Sequence, residues 1–383
     1  ATLFTGLYSH NNGVGFNLRR DSILDRSKII PTLGKSFKEA GYRVAYFGKE
    51  HAGGYGYASA SDFGSMMHSS GGMLAEGSAY DPIFTDDAVK YLRNQSSEQP
   101  FFMTLSLITP HDICRVLGGK VKGATFSDAI HFARTEDEPY LRFQARPDLP
   151  DNHNVPFEKG MILHQDFMYK EVSEFSVDDW KRFISTYQLL IENTDRLMGQ
   201  LLASLEEQGL DENTIVIFTT DHGEMAGSHQ LIAKTTFYEE SSKIPIIIKY
   251  PKLIQPSSVN DSALVGTVDL MPTLLDLAGV KIPEGLDGRS FKREILQPNN
   301  DYSDFEMLFS QNQFGRMVRF EHFKYVRSQV YGKNYEILFD LRNDPQESKN
   351  LSIDPQYKDF LNRGRILLDE WMESEEIPLI AER

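Results

Sequence analysis

The sequence predicts an α/β fold in which a mostly parallel sheet is sandwiched by helices, followed by a smaller C-terminal subdomain of antiparallel sheet plus helix. An amphipathic helix over 177–208 leads directly into a buried apolar strand over 215–218, an order typical of parallel sheets. After about residue 300, short strands with tight connections follow one another, as in an antiparallel sheet. We therefore predict a first domain over 1–300 and a C-terminal subdomain over 301–383.

The elements of the first domain follow from the spacing of apolar residues and from the residues that end helices. For example, Leu33, Phe37 and Ala40 share one helical face, and Gly41 ends that helix. The predicted elements are helices over 32–41, 86–93, 177–208 and 269–279, and strands over 43–47, 101–107, 215–218 and 245–249.

Two polar segments of this domain have no clear period. Residues 53–79 are rich in Gly, Ser and Ala, and residues 118–176 contain several prolines. We expect the first to be an irregular loop near a site and the second to be a lid that carries substrate selectivity. In the C-terminal subdomain, the predicted strands are 307–310, 316–320, 323–327 and 335–341, and the predicted helix is 357–372.

The composition narrows the class of protein. The chain has 383 residues, of which 40% are hydrophobic and 25% charged. This is enough apolar surface to form the core of one large domain and a smaller one. Its formal net charge of −15 argues against non-specific binding to nucleic acid, which requires a basic face. The sequence contains no run of about 18 apolar residues, so it predicts no membrane span. The single cysteine, Cys114, excludes an internal disulfide.

Polar residues follow three of the predicted strands. Asp221 and His222 come after the strand over 215–218, and the turn-forming Gly223 comes next. Ligands of open α/β sheets bind outside the carboxyl ends of the strands, so a carboxylate and an imidazole there are candidate metal ligands. The alternative is an Asp/Gly turn with a solvated histidine.

The other two strand ends carry cationic and imidazole side chains. Lys49 and His51 follow the strand over 43–47, and His111 follows the strand over 101–107. Taken singly, the first pair is also compatible with a solvated loop, and His111 with a structural role. With Asp221, His222 and, one loop later, Lys234, they form a site suited to a tetrahedral oxyanion. Phosphate and sulfate esters both fit this chemistry.

These residues resemble a known family, the type I, formylglycine-dependent sulfatases of the alkaline-phosphatase superfamily. The matching stretches are 1–14, 39–51, 109–111, 219–234 with 238–241, and 338–347. They occur in the family's order across nearly the whole chain. The resemblance implies an alkaline-phosphatase-like fold and a sulfuric ester hydrolase whose substrate is a sulfated sugar or polysaccharide.

The resemblance also implies residue roles. Asp221 and His222 would be ligands of a divalent cation, expected to be Ca²⁺, although many family members have Asn in place of His222. Lys49 would contact the aldehyde hydrate and the sulfate, and His51 would accept the proton of the hydrate. The remaining roles concern the ester: His111 would protonate the leaving oxygen, and Lys234 would bind a sulfate oxygen. Glu224 and His229 are expected to be structural or to orient Asp221 or Lys234, and His10 is expected to be structural.

One part of the family pattern lies outside the sequence. The nucleophile motif Cys/Ser-x-Pro-Ser-Arg precedes a stretch like the one that begins at Ala1, which has no initiator Met and no signal-peptide pattern. We therefore expect the formylglycine precursor, its arginine and two further Asp metal ligands upstream, and expect the chain as given to be inactive. Export to the periplasm or secretion is implied by the family alone.

Two other functions remain open from the sequence. A phosphonate monoester or phosphodiester hydrolase of the same superfamily would share the metal site. A non-catalytic, truncated glycan-binding relative would keep the folded shell without the chemistry. In each case the partner is a small molecule or glycan, and the oligomeric state stays undetermined.

Overall fold

A computed structural model of the chain describes residues 1–14, 30–50, 52, 55, 62–68, 77–95, 99–113, 147–162, 169, 172–298 and 303–374. For 62–68 and 374 it describes the backbone alone. Among these residues, no helix combines the length and apolarity needed to cross a membrane.

A parallel sheet forms the first layer. Its strands are β1 (Arg43–Glu50), β2 (Asp62–His68) and β3 (Phe101–Ser106), in the order β2-β1-β3. Both partners run parallel to β1. Strand β2 lies inside the segment 53–79 that was expected to be irregular, so that expectation is wrong for 62–68. The alternation of apolar residues there is weak, and pairing with β1 supplies the order that the local sequence does not.

Helices pack around this sheet. They are α1 (Thr2–Thr5), α2 (Ser9–Asn12), α3 (Leu33–Glu39), α4 (Gly77–Arg93) and α5 (Val177–Glu207). Helix α5 confirms the prediction almost to the residue because it has its own start signal, a capping box in which Ser176 and Asp179 bond each other's backbone.

Helix α4 begins nine residues earlier than predicted. Asp112, which is distant in sequence, accepts hydrogen bonds of 2.8 Å from the backbone N–H groups of Gly77 and Ser78 and from the Ser78 hydroxyl. These bonds satisfy donors that a helix leaves unpaired at its start. The start of α4 therefore depends on a tertiary contact.

A second, two-stranded sheet continues the first domain. Strand β4 (Val216–Thr219) pairs antiparallel with β5 (Ile246–Lys249). The helices of this part are α6 (Glu239–Ser242), α7 (Leu270–Leu277) and α8 (Lys292–Leu296). One buried cluster joins α3, β1 and α7; its members are Leu33, Phe37, Val44, Tyr46, Met271 and Leu275.

The C-terminal part is a four-stranded antiparallel sheet covered by a helix. The strands are β6 (Met307–Gln311), β7 (Gly315–Phe320), β8 (Phe323–Val330) and β9 (Lys333–Asp340), paired in sequence order, and the helix is α9 (Lys358–Ser374). One face of the sheet packs on α9 through Tyr325, Leu368 and Trp371. The other packs against Met225, Leu231, Phe237 and Tyr238 of the first domain. The predicted fold class is confirmed, and the boundary at residue 300 remains a prediction.

Candidate active site

Lys49 lies where β1 and β3 come unusually close. Gly48 has a φ of 104°, and a Cβ atom there would lie 2.0 Å from the carbonyl oxygen of Ser106. Only glycine allows this conformation and this approach. The Tyr46 hydroxyl donates a hydrogen bond of 2.7 Å to the carbonyl oxygen of Lys49. The backbone of Lys49 is thus held at the carboxyl end of the parallel sheet.

His111 belongs to a loop that Asp81 anchors. The two carboxylate oxygens of Asp81 accept hydrogen bonds of 2.8 Å from the backbone N–H groups of Ile108 and Thr109. The backbone N–H of His111 donates a hydrogen bond of 2.9 Å to the carbonyl oxygen of Ile108, which closes the turn. Helix α4 therefore determines where the loop after β3 carries its imidazole.

Asp221 and His222 follow β4 in a turn that depends on Gly223. A Cβ atom on Gly223 would lie 2.0 Å from the carbonyl oxygen of Glu240. The backbone N–H of Gly223 donates a hydrogen bond of 2.8 Å to the carbonyl oxygen of Ser241. The His222 Nδ1 donates 2.9 Å to the carbonyl oxygen of Gly223. Since a carbonyl oxygen only accepts, Nδ1 carries the proton and the Nε2 lone pair is available, as in metal-ligating histidines.

The charges around this turn favour ligand binding. The site partly desolvates the Asp221 carboxylate, which opposes ionisation, but His222, Lys234 and Lys49 outweigh this and lower its pKa. Burial lowers the pKa of His222, and the charges of Lys234 and Lys49 add to this, although Asp221 opposes them. Both shifts favour the forms that bind metal ions, an ionised carboxylate and a neutral imidazole.

Lys234 completes the group. The Glu224 carboxylate accepts a hydrogen bond of 2.5 Å from the Ala233 N–H and closes the loop that leads to Lys234. On either side of this lysine, Ala233 and Thr235 have φ angles of 66° and 76°, a conformation that clusters at functional sites. The Lys234 Nζ lies 3.4 Å from the His111 Nδ1.

Ala1 borders the same site. Its backbone nitrogen is buried and interacts electrostatically with Glu50 and Asp221. The start of α1 therefore lies close to the charged residues that follow the three strands.

The geometry of Asp221 and His222 fits a shared metal ion. The His222 Nε2 and the Asp221 Oδ2 are 3.5 Å apart, close to the separation of two ligands whose metal bonds are about 2.0–2.6 Å. No group of three or more His, Cys, Asp or Glu side chains converges in the described parts of the chain. These two side chains therefore need further ligands to complete a coordination sphere.

Of the predicted site residues, the structure brings together Lys49, His111, Asp221, His222 and Lys234. His51 lies outside the described residues, as does Cys114.

Two histidines that were expected to be structural are packed against aromatic rings. The His229 ring is 1% exposed and is stacked on Tyr238 at 4.1 Å. The His10 ring is stacked on Tyr8 at 5.8 Å. Sequence reasoning missed Asp81, since a carboxylate within a helix carries no signal of its loop partners.

Known proteins resemble the chain over nearly its whole length. A family model described as Sulfatase matches residues 1–280, and one described as N-sulphoglucosamine sulphohydrolase, C-terminal, matches residues 227–373. The Δ4,5-hexuronate-2-O-sulfatase of Bacteroides thetaiotaomicron is 29% identical over 97% of this chain and 78% of its own length. Arylsulfatase K of Bos taurus is 28% identical over 74% of this chain, which spans about half (55%) of that protein.

A solved structure shares the fold. A 2-O GAG sulfatase superposes with a TM-score of 0.81 and 26% identity, covering 98% of this chain and 81% of its own.

Proposed function

This chain belongs to the sulfatase family, and from that premise we propose that the complete protein hydrolyses a sulfate ester of a sugar or polysaccharide and releases inorganic sulfate. The observation that carries the proposal is the convergence of Lys234, His111, Asp221, His222 and Lys49 on one site. Four of them come from three separate strand ends and Lys234 from a loop, so their meeting is a property of the fold.

Lys49 and Lys234 would hold the sulfate group. Both lysines act electrostatically on Asp221 and His222, so their charges lie near the candidate metal pair. A sulfate ester is an anion, and as the nucleophile adds to sulfur the group carries the charge of the incoming oxygen as well as its own until the bond to the leaving oxygen breaks. Fixed positive charges around this group stabilise that state more than the ground state.

Asp221 and His222 would hold a divalent cation, proposed to be Ca²⁺. The 3.5 Å between their ligand atoms and the protonation of the His222 Nδ1 support this assignment. When bound, such a cation supplies charge that polarises the sulfate and its attacking group. Calcium prefers oxygen ligands, so two further Asp ligands, proposed to lie upstream of Ala1, would complete its shell.

His111 would serve the leaving group. The Lys234 ammonium has only hydrogens to donate, so the His111 Nδ1 must accept at their 3.4 Å contact. The proton of His111 then resides on Nε2. From there it can pass to the leaving oxygen, which departs as an alcohol, and Lys234 can return a proton to Nδ1.

The nucleophile is proposed to be a formylglycine in a segment before Ala1. Ala1 lies within range of Asp221 and Glu50, so a residue just upstream would enter the same site. His51 would accept a proton from the hydrated aldehyde, as the sequence analysis predicts. The chain beginning at Ala1 is expected to release no measurable sulfate.

The substrate class is proposed from the relatives. Delta 4,5-hexuronate-2-O-sulfatase, the Bacteroides protein, is named for a sulfated sugar, and its match covers 97% of this chain. The location of this protein is proposed by the same analogy to be the periplasm or the exterior of the cell.

The test measures sulfate release by the complete protein, including the segment before Ala1, from sulfated sugars and an aryl sulfate. Lys234→Met should lower kcat/KM about 10²- to 10³-fold, as does removal of a donor to a developing charge. Lys281→Met, which changes an exposed lysine, is the matched control and should leave the rate unchanged.

An aryl phosphonate is the competing substrate in this assay. Faster turnover of the phosphonate than of any sulfate would favour the phosphonate monoester or phosphodiester hydrolase alternative. Absence of turnover of all three, with sulfated sugar still bound, would contradict the proposal and favour a glycan-binding protein.

A further inference from the structure

The loop that carries Lys234, residues 224–235, has an unfavourable backbone conformation. A left-handed φ angle brings the side chain of an L-residue close to its own backbone, so such residues persist only where the surrounding structure fixes them. The contacts that fix this Lys234 loop therefore decide where Lys234 lies. Five of its residues other than glycine have left-handed φ angles: Ala226 (45°), His229 (54°), Gln230 (57°), Ala233 (66°) and Thr235 (76°).

The two arms of the Lys234 loop are bonded to each other. The backbone N–H of Met225 donates a hydrogen bond of 2.9 Å to the carbonyl oxygen of Ala233. That of Gly227 donates one of 2.9 Å to the carbonyl oxygen of Leu231, and residues 227–230 form the tip of the loop. Because Ala233 directly precedes Lys234, a shift of the tip is passed along these bonds to the lysine.

Two consecutive residues from outside the loop hold its tip. The His153 Nδ1 lies 2.7 Å from the carbonyl oxygen of Gly227 and donates to it, since a carbonyl oxygen only accepts. The carbonyl oxygen of Asn152 accepts a hydrogen bond of 3.2 Å from the backbone N–H of His229. Asn152 and His153 are 1% and 6% exposed, so little water competes for these bonds.

His153 is itself fixed by its neighbours. Its backbone N–H donates a hydrogen bond of 2.9 Å to the carbonyl oxygen of Pro150. Its ring meets the ring of Trp180, in the first turn of α5, edge to face with 5.2 Å between the centroids. A Cβ atom on Gly227 would lie 3.3 Å from the Trp180 ring and 3.6 Å from the His153 Nδ1. The tip of the Lys234 loop thus packs against His153 and the start of α5.

We propose that His153 is a positioning residue of the candidate active site, which holds the Lys234 loop in the conformation that places Lys234 beside His111. This inference rests on the proposed function, in which Lys234 binds a sulfate oxygen. His153 acts through Gly227 and the bonds between the two arms. Without its donor, the buried carbonyl oxygen of Gly227 loses its partner, and the left-handed residues can relax and displace Lys234.

The experiment uses the complete protein and two substitutions that separate the hydrogen bond from the packing. His153→Phe keeps a ring against Trp180 but loses the donor, whereas His153→Asn loses the ring but keeps an amide N–H close to the position of Nδ1. We expect kcat/KM for a sulfate ester to fall about 10- to 100-fold in His153→Phe, as for a displacement of about 1 Å, and to fall less in His153→Asn. A loss in His153→Phe no larger than that in His153→Asn would overturn the proposal, because packing would then explain the role.

A second comparison asks whether His153 acts through Lys234. In the Lys234→Met background, His153→Phe should lower kcat/KM less than about threefold further, because the group that it positions is gone. The same fold loss in both backgrounds would overturn the proposal. His322→Phe, which makes the same substitution beside Phe323 at the turn between β7 and β8, is the matched control and should leave kcat/KM unchanged.

Crystal structures of wild type and His153→Phe provide a measurement that does not depend on catalysis. The distance from the Lys234 Nζ to the His111 Nδ1, 3.4 Å here, should lengthen by about 1 Å or more in the variant. An unchanged distance would overturn the proposal. If wild type releases no sulfate from any ester, the proposed function fails, and this distance still decides the role of His153. If His153→Phe does not fold, His153→Gln, whose amide corresponds to Nε2 rather than Nδ1, replaces it in each comparison.

Discussion

At the scale of the residue, surroundings rather than identity decide what a side chain can do. His222 and His229 are seven positions apart. The first donates through Nδ1 to Gly223 and turns its Nε2 toward Asp221. The second is buried against Tyr238 and contacts the amide of Asn152 at 3.2 Å. Of these two, His222 combines a fixed tautomer with an accessible lone pair, so it is the one suited to a metal.

Glu336 offers a pH test at the same scale. Arg365 donates to both of its carboxylate oxygens, at 2.7 and 2.5 Å, and Tyr325 donates at 2.6 Å. The hydrogen bonds from Arg365 hold the pKa of Glu336 below its usual value, outweighing burial, and Tyr325 and Arg327 add to this. Because its pKa is depressed in the folded protein, the ionised Glu336 stabilises the fold at pH values above its ordinary pKa of 4.5. This stabilisation is lost as the pH falls through the pKa of the folded protein.

We expect Glu336→Gln to lower the free energy of unfolding at pH 7 by about 0.5–1 kcal/mol, a figure reduced for solvent screening. The difference from wild type should shrink as the pH falls below about 4.5. Urea unfolding at pH 7 and pH 3.5 measures it, with Glu370→Gln, at an exposed position of α9, as the control. A difference that stays constant with pH would mean that the charge of Glu336 contributes nothing.

At the scale of the element, the loop after β3 is held by a carboxylate from a neighbouring helix. Asp81 of α4 accepts from the loop that carries His111. In return, Asp112 of that loop accepts from the first residues of α4. The helix and the loop therefore fix each other, and His111 is positioned without making those bonds itself.

Asp81→Asn should impair catalysis through position rather than charge. One of the two acceptors becomes an amide NH₂, which faces a backbone N–H and cannot accept from it. A displacement of about 1 Å at His111 could lower kcat up to about 100-fold. We expect kcat to fall more than KM rises, most strongly for substrates with poor leaving groups, which depend on the proton from His111.

The control for this prediction is Asp86→Asn on the same helix. Asp86 forms an exposed ion pair of 2.6 Å with Lys90, one turn away. Loss of this ion pair should lower the free energy of unfolding by no more than about 0.5 kcal/mol and leave kcat unchanged. If Asp81→Asn lowers the melting temperature but not kcat, Asp81 does not position the imidazole.

At the scale of the whole molecule, a buried ionic cluster joins the C-terminal sheet to the segment after Lys234. Lys324 of β8 is 0% exposed. Its three N–H donors bond to Glu239, Glu347 and the carbonyl oxygen of Phe237, each at 2.7 Å. Arg319 adds a contact of 3.1 Å to Glu239. The sheet thereby holds the backbone three residues beyond Lys234.

Lys324→Met should lower the free energy of unfolding by about 3–5 kcal/mol, because it leaves the buried carboxylate of Glu347 without its cation and removes one of the two cations that contact the half-buried Glu239. Lys333→Met, at an exposed position of neighbouring β9, is the matched control and should change stability by less than about 0.5 kcal/mol. Denaturant unfolding of both variants measures the difference.

The double variant Lys324→Met with Glu347→Gln should recover part of the loss. Burial raises the pKa of Glu347 to about 7, against the opposing effect of Lys324, so a neutral side chain is tolerated there. Glu239 keeps Arg319 as its partner. A double variant as unstable as the sum of the single ones would show that the two residues are not coupled.

Much of the fold and of the candidate site could be predicted from the sequence because those signals are local. The period of apolar residues located α5, α9 and the four strands β6 to β9 to within a few residues. Polar residues directly after the apolar strands identified Lys49, His111, Asp221 and His222 as members of a site. Strand ends in a parallel sheet meet at one edge, so the convergence of Lys49 and His111 follows from the predicted topology. Asp221 and His222 instead follow β4, which pairs antiparallel with β5 in a separate sheet among the described residues, so their position was decided by the tertiary structure.

The tertiary structure alone decided the features whose partners are distant in sequence. Strand β2 exists through pairing with β1, and the start of α4 is bonded by Asp112. The tautomers of His111 and His222 are equally invisible in a one-dimensional pattern. The sequence by itself determined which residues are available for the chemistry, because periodicity and strand ends are short-range properties. Folding decided which of them are paired, protonated or left for a ligand, since those states depend on contacts between residues far apart along the chain.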